Sequence, residues 1–262
     1  MTLLPPSFRA LVIGSSGTIG SAFVELLQAD KACIEVVGIH RHSEYPIDYR
    51  HPETIEAAAK ALSLGGPFQL IINTIGVLHS KDWMPEKKLA DLNSEQLMDL
   101  MKINAIGPAL TIQHFSTLLD PQHSVMATLS AKVGSIEDNR LGGWYSYRAS
   151  KAALNMLIKT AAIELARTKP NTGLIALHPG TVNSRLSQPF RGEQIGRPAL
   201  DAAADMLKVF QNIGKEDSGC FFSYSGEKLP WLSLTSTASY ESHRLKDHSQ
   251  TACSHRNIQS QF

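Results

Sequence analysis

The stretch Ala10-Leu11-Val12-Ile13-Gly14-Ser15-Ser16-Gly17-Thr18-Ile19-Gly20 decides how this chain folds. Its first part is an apolar run typical of a buried strand, and the residues from Ser21 to Gln28 repeat apolar side chains at helical spacing. Glycines allow a tight turn and a close approach to a ligand, while the amides at a helix start present partial positive charge to a phosphate. The order strand, glycine turn, helix therefore favours a dinucleotide site over an ordinary tight turn.

The chain alternates predicted strands with predicted helices as far as about residue 231. Strands are predicted at 10–13, 34–39, 47–49, 69–76, 123–130, 173–178 and 219–224. Helices are predicted at 21–28, at 52–64, from Ser94 onward with a kink at Pro108, at 145–167 and at 199–213. The alternation predicts a single α/β domain, a Rossmann-type doubly wound parallel sheet of about seven strands with ligands at the carboxyl ends of the strands.

Composition argues against several classes of protein. The 262 residues carry 25 Lys and Arg against 24 Asp and Glu, which is not the basic footprint of a nucleic-acid binder or of a polybasic membrane surface. No apolar window approaches ~20 uninterrupted residues, and the start lacks a charged segment before an apolar run, so neither a membrane span nor a secretory signal is expected. The 3 cysteines are widely spaced and indicate reduced thiols in a cytoplasmic protein, and the 10 scattered histidines indicate no metal site.

The residues after the second predicted strand indicate which dinucleotide is bound. An NAD site usually places an acidic residue near this strand end to hold the ribose hydroxyls, whereas an NADP site uses an arginine for the 2′-phosphate. Here the strand is followed by His40-Arg41-His42-Ser43, which contains no acid. The sequence therefore predicts NADP(H), and the other interpretation of Arg41 is a solvated loop charge.

A reactive pair lies in the predicted helix 145–167. Tyr147 and Lys151 are four residues apart, and at ~100° per residue they project from one helical face. A neighbouring ammonium favours the phenolate and lowers the pKa of the phenol, which can then work as an acid or base near neutral pH. Tyr145 lacks this spacing and faces elsewhere. Taken alone, the pair is also compatible with a solvated lysine over a half-buried ring.

Two asparagines and one loop complete the candidate site. Asn104 lies in the middle of the helix that begins at Ser94, where a polar side chain costs free energy unless it is paired. Asn73 lies towards the end of the apolar fourth strand. Loop 185–198 has the length of a lid or binding loop, and we expect substrate specificity to depend on it and on segment 81–88.

Taken in order, these motifs resemble those of the short-chain dehydrogenase/reductase superfamily over residues 8–231. The resemblance implies that Tyr147, Lys151 and Asn104 carry catalysis, with Asn104 completing a proton relay. It also implies that Asp48 meets the adenine and that the Pro-Gly segment from Pro179 holds the nicotinamide amide. The full set of cofactor contacts implied is Gly14, Ser16, Gly17, Thr18, Ile19, Gly20, Arg41, Asp48, Asn73, Ile75, Gly76, Tyr147, Lys151, Pro179, Gly180, Val182 and Ser184.

Within that superfamily, residues 134–155 and the Pro230-Trp231 pair are similar to the C-factor and sniffer-type carbonyl reductase group. The similarity implies NADP(H)-dependent reduction of an aldehyde or ketone by hydride transfer, with Tyr147 as the acid/base. It also implies a small-molecule carbonyl substrate and a cytoplasmic homodimer or homotetramer.

The chain departs from the family pattern at two places. The glycine turn reads Gly-x-x-Gly-x-x-Gly, whereas most single-domain members have Gly-x-x-x-Gly-x-Gly. The family usually carries its catalytic serine as the second of two serines, where this chain has Ala131 after Ser130. Strand alternation predicts that Ser130 points to the opposite face of the sheet, and Ser135 is a candidate replacement. This departure favours, as the alternative function, an NADP(H)-binding regulatory or cell-signalling protein with little turnover.

Residues 232–262 change to a composition rich in Ser, Thr, His and Gln. This composition predicts a polar, disordered C-terminal tail. An arm that wraps a neighbouring subunit is the alternative interpretation.

Overall fold

The computed structural model describes residues 2–231, in which helices cover both faces of one sheet. The strands are β1 Phe8–Ile13, β2 Cys33–Ile39, β3 Leu70–Asn73, β4 Ser124–Leu129, β5 Thr172–His178, β6 Phe221–Ser223 and β7 Lys228–Leu229. The helices are α1 Thr18–Ala29, α2 Glu53–Leu62, α3 Ser94–Met101, α4 Gly107–Phe115, α5 Tyr145–Thr168, α6 Gly192–Ile195 and α7 Ala199–Gln211. The predicted tail, residues 232–262, lies outside the described residues.

The sheet has the strand order β2-β1-β3-β4-β5-β6-β7, and neighbouring strands from β2 to β6 run parallel. The predicted Rossmann-type α/β fold is confirmed. β7 pairs antiparallel with β6, which the sequence did not predict. This strand is too short to show a periodic pattern, and it returns along β6 through a turn at Gly226, whose φ is +85°.

The predicted strand at 47–49 is wrong. Its middle residue, Asp48, forms an isolated bridge with His51, and the segment joins no strand of the sheet. Ile47 and Tyr49 are both buried, and the Tyr49 ring packs so closely on Gly107 that a methyl group there would overlap it. Ile47 and Tyr49 attach a connecting segment to the core. In sequence, two apolar residues separated by a polar one give the same pattern as a short strand.

Two apolar layers hold the sheet between the helices. On β1, Leu11 and Ile13 face the layer formed with α2, α4 and α5. Ala10 and Val12 face the opposite layer, where Phe23 of α1 and Phe210 of α7 meet with ring centroids 6.0 Å apart. Because a parallel strand covered on both faces buries every side chain, the strands of the interior read as continuous apolar runs.

The long helix predicted from Ser94 is divided into two. Its start is capped by Asn93, whose side chain accepts the backbone N–H groups of Glu95 and Gln96. A π-helical turn, Lys102–Ile106, separates α3 from α4 immediately before Pro108, where a kink was predicted. Among residues 2–231, no helix is long and apolar enough to cross a membrane.

Candidate active site

A cavity of about 530 Å³ opens at the carboxyl ends of the central strands. β2 lies on one side of β1 and β3 on the other, so the strand order changes direction at this point of the sheet. Ligands of open α/β sheets bind at such a point. The predicted site residues that line the cavity are Gly17, Thr18, Ile19, Gly20, Ile75, Gly76, Tyr147, Lys151, Pro179, Gly180, Val182 and Ser184. The predicted residues outside the lining are Gly14, Ser16, Arg41, Asp48, Asn73 and Asn104.

The glycine turn brings the start of α1 to the cavity wall. Gly14 has φ +87°, and a Cβ there would lie 2.7 Å from Thr74 Oγ1. Both the backbone conformation and the lack of space therefore exclude a side chain at this position. A Cβ on Gly20 would overlap the carbonyl oxygen of Gly14. The N-cap residue of α1 is Gly17, which has no side chain to accept a hydrogen bond from the first turn. That turn also contains no acidic residue. The free amides at the start of α1 are thus open to an anion in the cavity.

The ends of β2 and β3 lie beside this turn. Arg41 follows β2 as an exposed side chain, with no ion pair among the described residues. Asp48 is half-buried, and its carboxylate accepts the backbone N–H of Arg50 at 2.9 Å. Asn73 is buried at the end of β3, where its Oδ1 accepts the N–H of Ile75 at 3.1 Å. Asn73 thereby shapes the strand end and does not line the cavity.

Tyr147 and Lys151 project from α5 into the cavity, with Lys151 Nζ 5.9 Å from the centroid of the Tyr147 ring. Both side chains are buried, and Lys151 Nζ donates to the carbonyl of Leu129 at 3.1 Å. Burial lowers the pKa of Lys151 to about 8. Burial also raises the pKa of Tyr147, whereas the sequence predicted that the lysine would lower it. The phenol therefore holds its proton at neutral pH.

Asn104 lies in the π-helical turn and is fully buried. Its Oδ1 accepts the N–H of Val77 at 2.9 Å, and its Nδ2 donates to the Val77 carbonyl at 2.8 Å and to Ser150 Oγ at 3.1 Å. Ser150 Oγ in turn donates to the backbone carbonyl of Tyr147 at 2.8 Å. These bonds satisfy the buried amide and connect Asn104 to the helix that carries the phenol.

The two serines near Ala131 contribute no free hydroxyl to the cavity. Ser130 Oγ donates to Asn155 Oδ1 on α5 at 2.6 Å. Ala131 packs with Tyr147 of the same helix, so the prediction that Ser130 points to the opposite face is wrong. Alternation fails because β4 ends at Leu129. Ser135 Oγ is buried, has no hydrogen-bond partner among residues 2–231 and does not line the cavity.

Sequence reasoning missed the aromatic wall beside Tyr147. The Trp144 ring lies 4.9 Å from Phe190 and 6.1 Å from Tyr147, measured between ring centroids. Trp144 has φ +54°, a left-handed conformation that costs a residue with a Cβ of the order of 1 kcal/mol. Gly142 and Gly143 share this conformation, and this pair of glycines was the sequence feature that could have indicated a left-handed turn before α5.

Loop 185–198 covers one side of the cavity with Arg185, Leu186, Phe190 and Ile195, and it contains α6. Ser187 Oγ, which is buried, donates to the carbonyl of Val182 at 2.5 Å and anchors the loop. His178, the last residue of β5, also lines the cavity. Burial, with the charges of Lys132 and Lys151, lowers the pKa of His178 to about 4, so its ring is neutral at pH 7.

The fold and the site define this chain as a Rossmann-type α/β protein. It belongs to the short-chain dehydrogenase family, a family of oxidoreductases whose model matches residues 9–194. A 1-hydroxy-2-glutathionyl-2-methyl-3-butene dehydrogenase of Rhodococcus sp. (strain AD45) is 33% identical over 186 residues, which are 71% of this chain and 78% of that protein. The C-signal protein of Myxococcus xanthus is 34% identical over 167 residues, which are 63% of this chain and 94% of that protein.

Solved structures agree with this fold. The NADPH-bound carbonyl reductase from chicken fatty liver matches 87% of this chain and 100% of its own, with a TM-score of 0.73 and 24% identity. The carbonyl reductase Sniffer of D. melanogaster matches 86% of this chain and 100% of its own, with a TM-score of 0.75 and 20% identity. The C-signal relative confirms the predicted resemblance to the C-factor group, and the Sniffer structure agrees in fold.

Proposed function

We propose that this protein reduces the carbonyl group of an aldehyde or ketone, with NADPH as the hydride donor and Tyr147 as the proton donor. One observation carries the proposal. Tyr147, whose pKa is raised by burial, and buried Lys151 line the same cavity as the residues at the start of α1, whose amides lack a side-chain cap. A proton donor and an anion site thus face one space large enough for a small molecule.

The residues around the glycine turn fit a dinucleotide. The turn admits no Cβ at Gly14 or Gly20, and the α1 amides that follow it suit a pyrophosphate. Arg41 is exposed and available for a 2′-phosphate, and its chain neighbours His40, His42 and Ser43 include no acid. Asp48, Asn73 and Ser16 would support the adenosine side and the turn. Ile75, Gly76, Pro179, Gly180, Val182 and Ser184 would hold the nicotinamide side.

Bound NADPH would supply the hydride that adds to the carbonyl carbon. Tyr147 donates its phenolic proton to the carbonyl oxygen as negative charge develops there. The ammonium of Lys151 then stabilises the phenolate that remains. Asn104 would position the water that returns the proton, and its backbone carbonyl has no conventional helical donor because Pro108 lacks an N–H.

The burial of Tyr147 supports reduction as the direction of the proposed reaction. Reduction requires a protonated phenol, and burial raises the pKa of Tyr147. Oxidation of an alcohol requires the phenolate, which a buried site disfavours. We therefore propose that the carbonyl-reducing direction is the faster one at neutral pH.

The second candidate is an NADP(H)-binding regulatory or signalling protein with little turnover. Ala131 supports it, because Ser130, which lines the cavity, donates its hydroxyl to Asn155, and Ser135 does not line the cavity. The name of the C-signal relative supports it as well. Two features support the reductase as the first candidate. Lys151 Nζ lies 5.9 Å from the centroid of the Tyr147 ring, and hydrogen bonds connect Asn104 through Ser150 to the backbone carbonyl of Tyr147.

Titration of the protein with NADPH and NADH by nucleotide fluorescence, followed by aldehydes and ketones in the same cuvette, tests the proposal. Tight NADPH binding with oxidation of the nucleotide supports the reductase. Tight binding without oxidation across the panel favours the regulatory protein. Equal affinity for NADH would refute the role of Arg41.

We also propose that residues 8–231 form one cofactor-binding domain, and that the protein forms a homodimer or homotetramer in the cytoplasm. Exposed apolar side chains on neighbouring helices support the assembly. They are Met98 of α3, Ile106 of the π-helical turn, and Met156 and Ile163 of α5. Light scattering coupled to gel filtration would test the assembly, and a monomer would contradict it.

A further inference from the structure

Glu86 is a buried acid in the connection between β3 and α3, with 2% of its surface exposed. Its carboxylate accepts the backbone N–H of Ser146, 3.3 Å from each oxygen, and also accepts the hydroxyl of Ser146. Its backbone carbonyl accepts the N–H of Trp144 at 2.5 Å. Within residues 2–231 Glu86 forms no ion pair. Its hydrogen-bond partners there, Trp144 and Ser146, lie at the start of α5.

The start of α5 requires such a partner. Its N-cap residue is Trp144, which is left-handed and makes no side-chain cap, and the first turn contains no acid. The first four N–H groups of any helix lack acceptors within the helix, and the helix dipole attracts negative charge to that end. Glu86, 60 residues earlier in the chain, supplies an acceptor for the Ser146 N–H of this first turn. This contact connects two segments of the site that are distant in sequence.

We infer that Glu86 is a positioning residue, which clamps the first turn of α5 and thereby sets the place of Tyr147 and Trp144 in the cavity. Tyr147 directly follows Ser146, which donates to the Glu86 carboxylate, and Trp144 itself donates to the Glu86 backbone carbonyl. The segments approach so closely that a Cβ on Gly143 would lie 3.3 Å from the Glu86 carbonyl oxygen. The inference rests on the proposed function, because positioning Tyr147 matters to the rate if Tyr147 donates the proton.

Four variants test the clamp. Glu86→Ala removes the carboxylate contacts with Ser146 and keeps the backbone bond to Trp144. Glu86→Asp keeps a carboxylate but shortens its reach, and Glu86→Gln keeps an oxygen within reach of Ser146. We expect the Ala and Asp variants to lose about 10- to 100-fold in kcat, as for a misplaced catalytic group, with little change in the KM for NADPH. Glu86→Gln should restore most of kcat. The control is Asp91→Asn, because exposed Asp91 accepts the N–H groups of Lys87 and Lys88, at 3.1 and 3.2 Å, in the same connection.

Asp91→Asn should keep the wild-type kcat. An equal loss of kcat in Asp91→Asn and Glu86→Ala would overturn the inference, since the integrity of the connection would then explain the effect. A wild-type kcat in Glu86→Ala would overturn it as well.

Hydrogen exchange of the amides in residues 143–150 provides a readout that does not depend on turnover. We expect the exchange of this segment to be faster in Glu86→Ala and unchanged in Glu86→Gln and Asp91→Asn. If the wild-type protein reduces no carbonyl compound but Glu86→Ala shows this loss of protection, the proposed function fails and the clamp stands. Unchanged protection in Glu86→Ala refutes the clamp whatever the activity.

Discussion

Replacing Tyr147 with Phe removes one oxygen atom and keeps the ring. The ring lies 6.1 Å from Trp144 between centroids and packs with Leu78 and Ala131. Among the described residues its hydroxyl makes no hydrogen bond, so its loss leaves no partner unsatisfied. We expect the free energy of unfolding to change by less than about 0.5 kcal/mol, as for substitutions that create neither a cavity nor an orphaned polar group.

The effect on the rate should be far larger than the effect on stability. A positioned general acid contributes roughly 10²- to 10⁴-fold to a reaction. At 1.36 kcal/mol per tenfold, that is about 2.7 to 5.4 kcal/mol of transition-state stabilisation. Tyr147→Phe should therefore lower kcat by at least about 100-fold at saturating NADPH, and NADPH affinity should change little.

The assay is the decrease in NADPH absorbance with a carbonyl substrate that the wild-type protein reduces. Tyr145→Phe is the matched control, because Tyr145 belongs to the same helical turn but does not line the cavity. The control should keep the wild-type rate. A Tyr147→Phe variant that kept kcat within about twofold of wild type would refute the proton-transfer role.

Three further predictions concern the charge, the turn and the cofactor. Burial lowers the pKa of Lys151 from 10.5 to about 8, so the unfolded chain binds this proton more tightly. The free energy of unfolding should rise between about pH 8 and 10, and Lys151→Met should flatten that rise in urea unfolding curves. Gly20→Ala would force a methyl group onto the Gly14 carbonyl, and NADPH affinity in a fluorescence titration should fall at least about tenfold. Arg41→Asp should raise the KM for NADPH more than the KM for NADH; the reverse order would show that Arg41 is a solvated charge.

The sequence alone was sufficient for the fold class and for the register of the reactive pair. The fold class and this register both follow from patterns of residues that are close together in the chain. An apolar strand, the glycines from Gly14 to Gly20 and a helical repeat are adjacent in the chain, and the four-residue spacing of Tyr147 and Lys151 places them on one face of any α-helix. The order of these motifs also indicated the family, which the matches to known proteins then showed.

Local patterns failed where a segment's state depends on distant partners. The segment 47–49 alternates like a strand, yet Tyr49 is anchored by Gly107 of α4. The direction of Ser130 depended on where β4 ends and on Asn155 of α5. The pKa of Tyr147 depended on how deeply the folded protein buries the ring, because burial raises it.

The tertiary structure also decided what completes the site. Trp144 adopts a left-handed conformation that its own preferences oppose, and Glu86 reaches the start of α5 across 60 residues. No local propensity specifies either feature, because the free energy that stabilises each one comes from contacts made after the chain has folded. The sequence thus determined which groups carry the chemistry, and the packing of distant segments determined where those groups are held.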